Sequence, residues 1–275
     1  IHALTGYQFS FHKDLQTAFM LIFFASIGLS ANFAKLKAGG KGLIIFLVII
    51  AVFILVQDVV GIGLATALGL DPLIGLIAGS ITLVGGHGTA GAWGQVLEQE
   101  YGVQGAVTLG IACATFGLVI GGLIGGPLAR ALIARHHLHL PAPQATNNLP
   151  VTENSDVLNF EQPQKERLIT ATNAVETLAL FAACLAFADY MTIIAKGTAF
   201  ELPTFVWALG GGVIIRNGLE YIFRVDMFDR AIDVFGSASL SLFLAMALLS
   251  LKLWELAGLA APLMIILAAQ TVVMA

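Results

Sequence analysis

From Leu43 to Leu64 the chain runs with Asp58 as its one ionisable side chain. Such a run is long enough to cross a bilayer as a helix. Comparable apolar runs cover Leu15–Phe33, Gly105–Ile133, Ile169–Ile194, Phe200–Ile215 and Ala231–Leu251, and another starts at Gly258. Charged residues make up 11% of the 275, against roughly 25% in globular domains. Mean hydropathy is +0.90. The expected fold class is an all-α polytopic membrane protein.

Several function classes drop out at once. A net charge of −4 with no basic cluster gives nothing for nucleic acid. Cys113 and Cys184 both lie in apolar runs and read as buried, reduced thiols. Neither a His-Glu-x-x-His helix, a Gly-x-Ser-x-Gly elbow nor a Walker A sequence occurs, so the chain does not read as an enzyme. No signal peptide is expected within these residues. The chain opens on Ile1 and closes inside the Gly258–Ala275 apolar run, and is expected to be a segment of a longer membrane protein.

One apolar stretch does not fit the pattern. Gly69-Leu-Asp71-Pro72 is a helix start, with Asp71 as cap and Pro72 in the first position. The run Leu73–Val84 behind it is about a dozen residues, too short to span and suited to a re-entrant segment. It ends in Gly85-Gly-His87-Gly-Thr89 and continues glycine-rich to Gly94. Irregular backbone at membrane depth is tolerated only where protein buries it or it lines a wet cavity. A hairpin over 73–94 is therefore the candidate translocation site, followed by a polar loop, Gln95–Gln104.

The residue types in this hairpin serve both signs of charge. Consecutive glycines let N–H groups converge on an anion, and unwound carbonyls and hydroxyls hold a hard cation. Ser80, Thr82, Gly85, Gly86, His87, Gly88 and Thr89 are the candidate substrate-binding residues; Ser26, Asn32, Asp58 and Asn217 are further cavity or sodium-site candidates. Each also has a plain reading. The glycines permit close packing, Ser80 and Thr89 can bond to their own helix, and Asp58 can sit at the interface. Asn217 can end a helix, Glu201 can stabilise a first turn, and Trp93 can simply pack. His136, His137 and His139 fall in a solvated linker. On the Gly105–Ile133 span, Gly117, Gly121 and Gly125, with Gly122 and Gly126, suit a close neighbouring helix.

Topology follows from the cations. If 73–94 returns to the side it came from, only Lys13, Lys196 and Lys252 fall opposite the remaining lysines and arginines. Cytoplasmic loops carry that excess, which places the hydrophilic linker 134–168 in the cytoplasm. The same scheme exposes a weak repeat. Phe24, Leu29, Ala38 and Gly39 match Phe243, Leu248, Ala257 and Gly258 at constant offset, and Gln57-Asp-Val-Val60 recurs as Gln270-Thr-Val-Val273. The copies run in opposite directions, as in inverted-repeat secondary transporters. The expected division is 1–133 as one half, the linker, and 169–275 as an incomplete second half, with another Gly-rich hairpin beyond Ala275.

Taken together, these motifs resemble the bacterial sodium/glutamate symporter family. Phe24-Ala-Ser-Ile-Gly-Leu29, Leu70-Asp-Pro-Leu73, Ala78-Gly-Ser-Ile-Thr-Leu83 and Gly85-Gly-His-Gly-Thr89 carry the resemblance in the first half. It extends over Ala112–Leu118, Gly121–Pro127, Glu201–Phe205 and Ser239–Ala247. The resemblance implies Na⁺-coupled import of L-glutamate across the bacterial inner membrane, with Na⁺ as coupling ion and no organic cofactor. It also implies an elevator-like motion in a homodimer embedded in lipid. The alternatives are an elevator-type carrier of another carboxylate, such as a hydroxycarboxylate, a channel, or a non-transporting membrane scaffold.

Overall fold

The computed structural model describes residues 11–135 and 169–274, apart from 199, 223, 225, 226, 228 and 251–257. The linker expected over 134–168, its histidines and Lys252 lie at least largely outside these residues. The described chain is helical: α1 (Lys13–Ser30), α2 (Phe33–Ala38), α3 (Gly40–Ala67), α4 (Pro72–Leu76), α5 (Gly86–Gln99), α6 (Ala106–Arg135), α7 (Ala171–Ala195), α8 (Thr204–Ile222), α9 (Asp229–Leu249) and α10 (Ala260–Met274). A wide π-type turn, Ile77–Ile81, carries α4 toward the glycine loop.

Four of these helices, α3, α6, α7 and α9, are long and apolar enough to cross a membrane. The protein is a polytopic membrane protein on that ground. On the same measure α1 and α8 fall short of the spans expected at Leu15–Phe33 and Phe200–Ile215. Their polar residues are the reason: the 18 residues of α1 include Lys13, Asp14 and Gln16, and α8 carries Arg216, Asn217 and Glu220. These are inner helices, with α1 packed against α8 and α9. By contrast α3 is apolar almost all round and leaves Ile44, Leu47, Val52, Leu55 and Val59 exposed, which in a bilayer is a lipid-facing surface.

The helices form two bundles. In the first, α3, α4, α5, α6 and α10 surround a core containing Ala65, Ile74, Ile77, Leu109, Cys113 and Ile266. In the second, α1 lies among α7, α8 and α9, with Leu29, Phe181, Cys184 and Ile232 buried between them. The bundles meet along an apolar seam in which Phe24, Phe205 and Phe243 pack with Ala92, Trp93 and Ile111. Both cysteines are buried and free. Each bundle holds one element from each copy of the weak repeat: α1 with α9, and α3 with α10.

Local chemistry explains the element starts. Asp71 Oδ1 accepts the Leu73 N–H at 2.9 Å, and Pro72 occupies a position whose N–H would have no helical partner. Thr170 caps α7 by accepting the Asn173 N–H. Other expectations need correction. The polar loop drawn at Gln95–Gln104 is helical through Gln99, and Glu98 Oε1 accepts the Val107 N–H in the first turn of α6 at 3.0 Å. Glu201 precedes α8 and accepts the Gly197 N–H at 2.9 Å, bracing the turn after α7 instead of a first helical turn. Asn217 lies inside α8 and caps nothing of it. Gly121, Gly122, Gly125 and Gly126 face open space within the described residues, so the close helix expected there is not found.

Glycines elsewhere do bring backbones together, as Gly28 and Gly212 do between α1 and α8. At the crossing of α3 and α4, a Cβ on Gly61 would strike the Gly75 carbonyl, and a Cβ on Gly75 would strike Gly61. Gly63, two residues beyond on the same helix, has nothing within 4 Å of its Cβ position. Gly61→Ala is expected to destabilise by about 1–3 kcal/mol through overpacking. Gly63→Ala is expected to be neutral or slightly stabilising, by up to ~1 kcal/mol. Thermal unfolding of the detergent-solubilised protein measures both.

Candidate functional site

The glycine loop follows the π-type turn. Gly79 leaves the helical region there (φ −109°, ψ −124°), and the wide ring is closed by Thr82, whose Oγ1 donates to the Ile77 carbonyl at 2.6 Å. The Ser80 carbonyl then accepts the N–H groups of both Val84 and Gly85, each at 3.2 Å. Gly86 has φ +74°, a left-handed conformation that costs an L side chain energy and glycine nothing. From Gly86 the chain turns into α5.

His87 is half-buried, and its Nε2 lies 3.0 Å from Thr115 Oγ1 on α6. Thr115 has already donated its one hydroxyl hydrogen to the Ile111 carbonyl, at 2.8 Å. Its oxygen is then left to accept, an arrangement that suits a proton on His87 Nε2. Thr89 Oγ1 meets two carbonyls, Ile81 at 2.7 Å and Gly86 at 3.1 Å, and ties the start of α5 back across the loop. Gly85 could not be replaced without striking this hydroxyl. On the far side, Gly88 faces the Phe23 ring and Gly91 the Phe243 ring, so α5 meets the second bundle through glycine notches.

The sequence-predicted residues separate into two groups. Ser80, Thr82, Gly85, Gly86, His87, Gly88 and Thr89 come together, and Asp58 joins them: Ser80 Oγ donates to Asp58 Oδ1 at 2.5 Å. Thr82 is 2% exposed and fully engaged by the turn, so its hydroxyl faces no cavity. Asp58 lies nine residues before the end of α3, well inside the helix and not at its edge.

Asn32 and Asn217 belong elsewhere, in a polar network at the C-terminal end of α1. Asn32 Nδ2 donates to Glu220, and Asn217 donates to the Ala31 carbonyl at 2.9 Å while accepting the Phe33 N–H. Ser26 lies one turn before and donates to the Phe23 carbonyl at 2.7 Å. At the centre of the network sits Arg216, 4% exposed. It is paired with Asp229 and, at 3.2 Å, with Glu220. Sequence reasoning counted Arg216 among the cations and missed its role. The signal was an Arg-Asn pair followed by Glu220 within an otherwise apolar helix.

Two open cavities lie against the α1–α9 contact. One, of about 520 Å³, is lined by Lys13, Gln16, Gln95, Glu98, Gln104 and Thr108 among others. The other, of about 400 Å³, is lined by Ser26, Ser30, Asp233 and Ser237 with Phe23. Neither is lined by Gly85–Thr89. Among the described residues no three His, Cys, Asp or Glu side chains gather as they would for a transition metal.

Comparison with known proteins adds the following. The model of a family described as sodium/glutamate symporter matches residues 1–275. A sodium/glutamate symporter of Haemophilus influenzae is 50% identical over 276 residues, covering 100% of this chain and 66% of the relative. The Escherichia coli sodium/glutamate symporter is 49% identical over 270 residues, covering 98% of this chain and 65% of the relative. The chain thus spans just under two thirds of the relatives' length. No solved structure matches significantly.

The Arg216 network makes a prediction that does not depend on the loop. Arg216→Met removes the buried guanidinium that Glu220 and Asp229 share. The expected loss is about 3 kcal/mol, the lower end for breaking a buried ion pair, because Glu220 and Asp229 are each about 40% exposed. Asp229→Asn is expected to cost less, because Glu220 remains beside the cation. Thermal unfolding of both variants checks the order.

Proposed function

The chain belongs to the sodium/glutamate symporter family, and on that premise we propose that it forms part of a Na⁺-coupled importer of L-glutamate in the bacterial inner membrane. The observation that carries the reading to a site is the His87–Thr115 pair beside the left-handed Gly86. The imidazole presents Nδ1 as an acceptor, which an ammonium group needs. The Gly85–Gly88 backbone offers N–H groups for carboxylates. Substrate is held at this loop, near the midplane, with Ser80 and Thr89 fixing its two ends.

The loop is read as the tip of a re-entrant hairpin. Its descending arm packs along α3, with Gly75 against Gly61 and Gly79 near Gln57. Its returning arm packs along α6, with His87 near Thr115 and Gly94 against Val107. Pairing of α1 with α9 and of α3 with α10 supports two inverted halves, one from each side of the cytoplasmic linker 134–168. The apolar seam between the bundles is the surface along which one moves past the other in an elevator-like cycle, within a homodimer.

Labelled L-glutamate uptake into proteoliposomes of the full-length protein tests the function. Uphill accumulation with Na⁺ outside, abolished when K⁺ replaces it, is expected; accumulation of a hydroxycarboxylate instead, or none from folded protein, overturns the reading. His87→Ala is expected to raise the half-saturating glutamate concentration about tenfold, equivalent to 1.4 kcal/mol of binding. More than one Na⁺ per glutamate monoanion makes the cycle electrogenic. Each net charge is worth ~2.3 kcal/mol per 100 mV, so uptake should rise under a valinomycin-imposed inside-negative potential.

A further inference from the structure

We propose that the cavity of about 520 Å³ at the Lys13 end of the α1–α9 pair is an entry site, which captures a zwitterionic amino acid before it reaches the glycine loop. The inference rests on the glutamate-import reading above and adds a second place where that substrate is held.

The first observation is which elements meet there. Lys13 and Gln16 stand at the start of α1, Gln95 and Glu98 near the end of α5, and Gln104 and Thr108 around the start of α6. Phe243 and Ala247 of α9 complete the lining. Both bundles therefore contribute, and the volume falls within the roughly 300–1,000 Å³ of small-molecule sites. The cavity is separate from the glycine loop: Gln95 lies about 14 Å along α5 from Gly86 at the helical rise. The cation count puts this end of α1 opposite the cytoplasm.

The second observation is unspent polarity. The side chains of Gln16, Gln95, Gln104 and Thr108 bond to no other described residue. Such groups on a cavity wall hold water and can exchange it for a ligand. The third is the balance of charge. Lys13 brings one positive charge to the lining and Glu98 one negative. Glu98 is fixed in place, because its Oε1 accepts the Val107 N–H at 3.0 Å.

An α-amino acid carries the complementary pair. Its carboxylate is matched to the Lys13 ammonium and its ammonium to the Glu98 carboxylate, while the glutamine amides donate to a side-chain carboxylate. A hydroxycarboxylate has no cation to offer Glu98 and is disfavoured by it. The cavity at the opposite end of the α1–α9 pair differs in kind. Asp233, Ser26, Ser30 and Ser237 line it and no cationic side chain does, so it offers a carboxylate nothing comparable. Recognition of the amino acid at a mouth thus belongs to the Lys13 end.

The test uses the full-length protein in a background without other exposed thiols. Gln99→Cys puts a reporter on the exposed rim of the cavity. L-Glutamate is expected to slow its modification by a membrane-impermeant maleimide applied from outside, and 2-hydroxyglutarate is not. Lys13→Gln should raise the half-protecting glutamate concentration about threefold, as for a solvated charge contact, and Lys13→Glu further, with Lys13→Arg close to wild type. The half-saturating concentration for uptake should follow the same order at unchanged maximal rate. His87→Ala should leave the protection in place. If a Lys13 variant fails to fold, Gln95→Leu carries the test, with a shift of about threefold for one lost hydrogen bond. Labelling indifferent to L-glutamate, equal protection by 2-hydroxyglutarate, or protection lost in His87→Ala overturns the entry site and leaves the transport reading intact. Absence of uphill glutamate uptake by the folded wild-type protein overturns that reading instead.

Discussion

Water is absent from the middle of a bilayer, so every backbone group there must find its partner in protein. The broken segment between α4 and α5 meets this demand with very few atoms. Thr82 and Thr89 give their hydroxyl hydrogens to carbonyls of the interrupted helix, and the Ser80 carbonyl takes two N–H groups at once. The π-type turn, the loop and the start of α5 are therefore one hydrogen-bonded unit. The position of His87 and the approach of α4 to α3 both depend on it. A continuous helix over the same residues would satisfy the backbone more simply, but would leave no exposed peptide groups for a ligand.

Glycine plays a different part at each place where it matters. At Gly61 and Gly75 it allows two backbones to touch, so that an interrupted helix stays packed with little side-chain surface of its own. At Gly86 it allows a conformation. At Gly88 and Gly91 it makes room for Phe23 and Phe243. Cation chemistry is kept apart from this: the buried guanidinium of Arg216 ties α8 to α9 at the far end of α1, where its two carboxylates reach partial exposure.

Much of this was legible in the sequence because it is governed by local rules. Asp71-Pro72 could only begin a helix, and Gly85-Gly86 could hardly sit in the middle of one. The apolar runs gave α3, α6, α7 and α9 to within a few residues. What was not legible depended on which face met which. The glycines Gly121 to Gly126 have the spacing of a packing face but touch nothing among the described residues, since spacing says only that approach is permitted. Asn217 before Gly218 looks like a helix end; the bonds to Ala31 and Phe33 that hold it mid-helix come from far away in the chain. Gln57 and Gln270 could be seen as equivalent positions in a weak repeat. Their meeting, and the orphaned amide atoms it creates, required the tertiary arrangement.

The seam between the bundles has a mechanical consequence. Phenyl rings resting in glycine notches are held by dispersion and close steric fit, so each ring fixes the register in which the two surfaces meet. Asp58, Ser80, His87 and Thr115 bond to partners within the first bundle, and Arg216 bonds to Glu220 within the second. The contact across the seam is therefore one of shape and dispersion, and the polar chemistry of each bundle stays on its own side of an apolar plane.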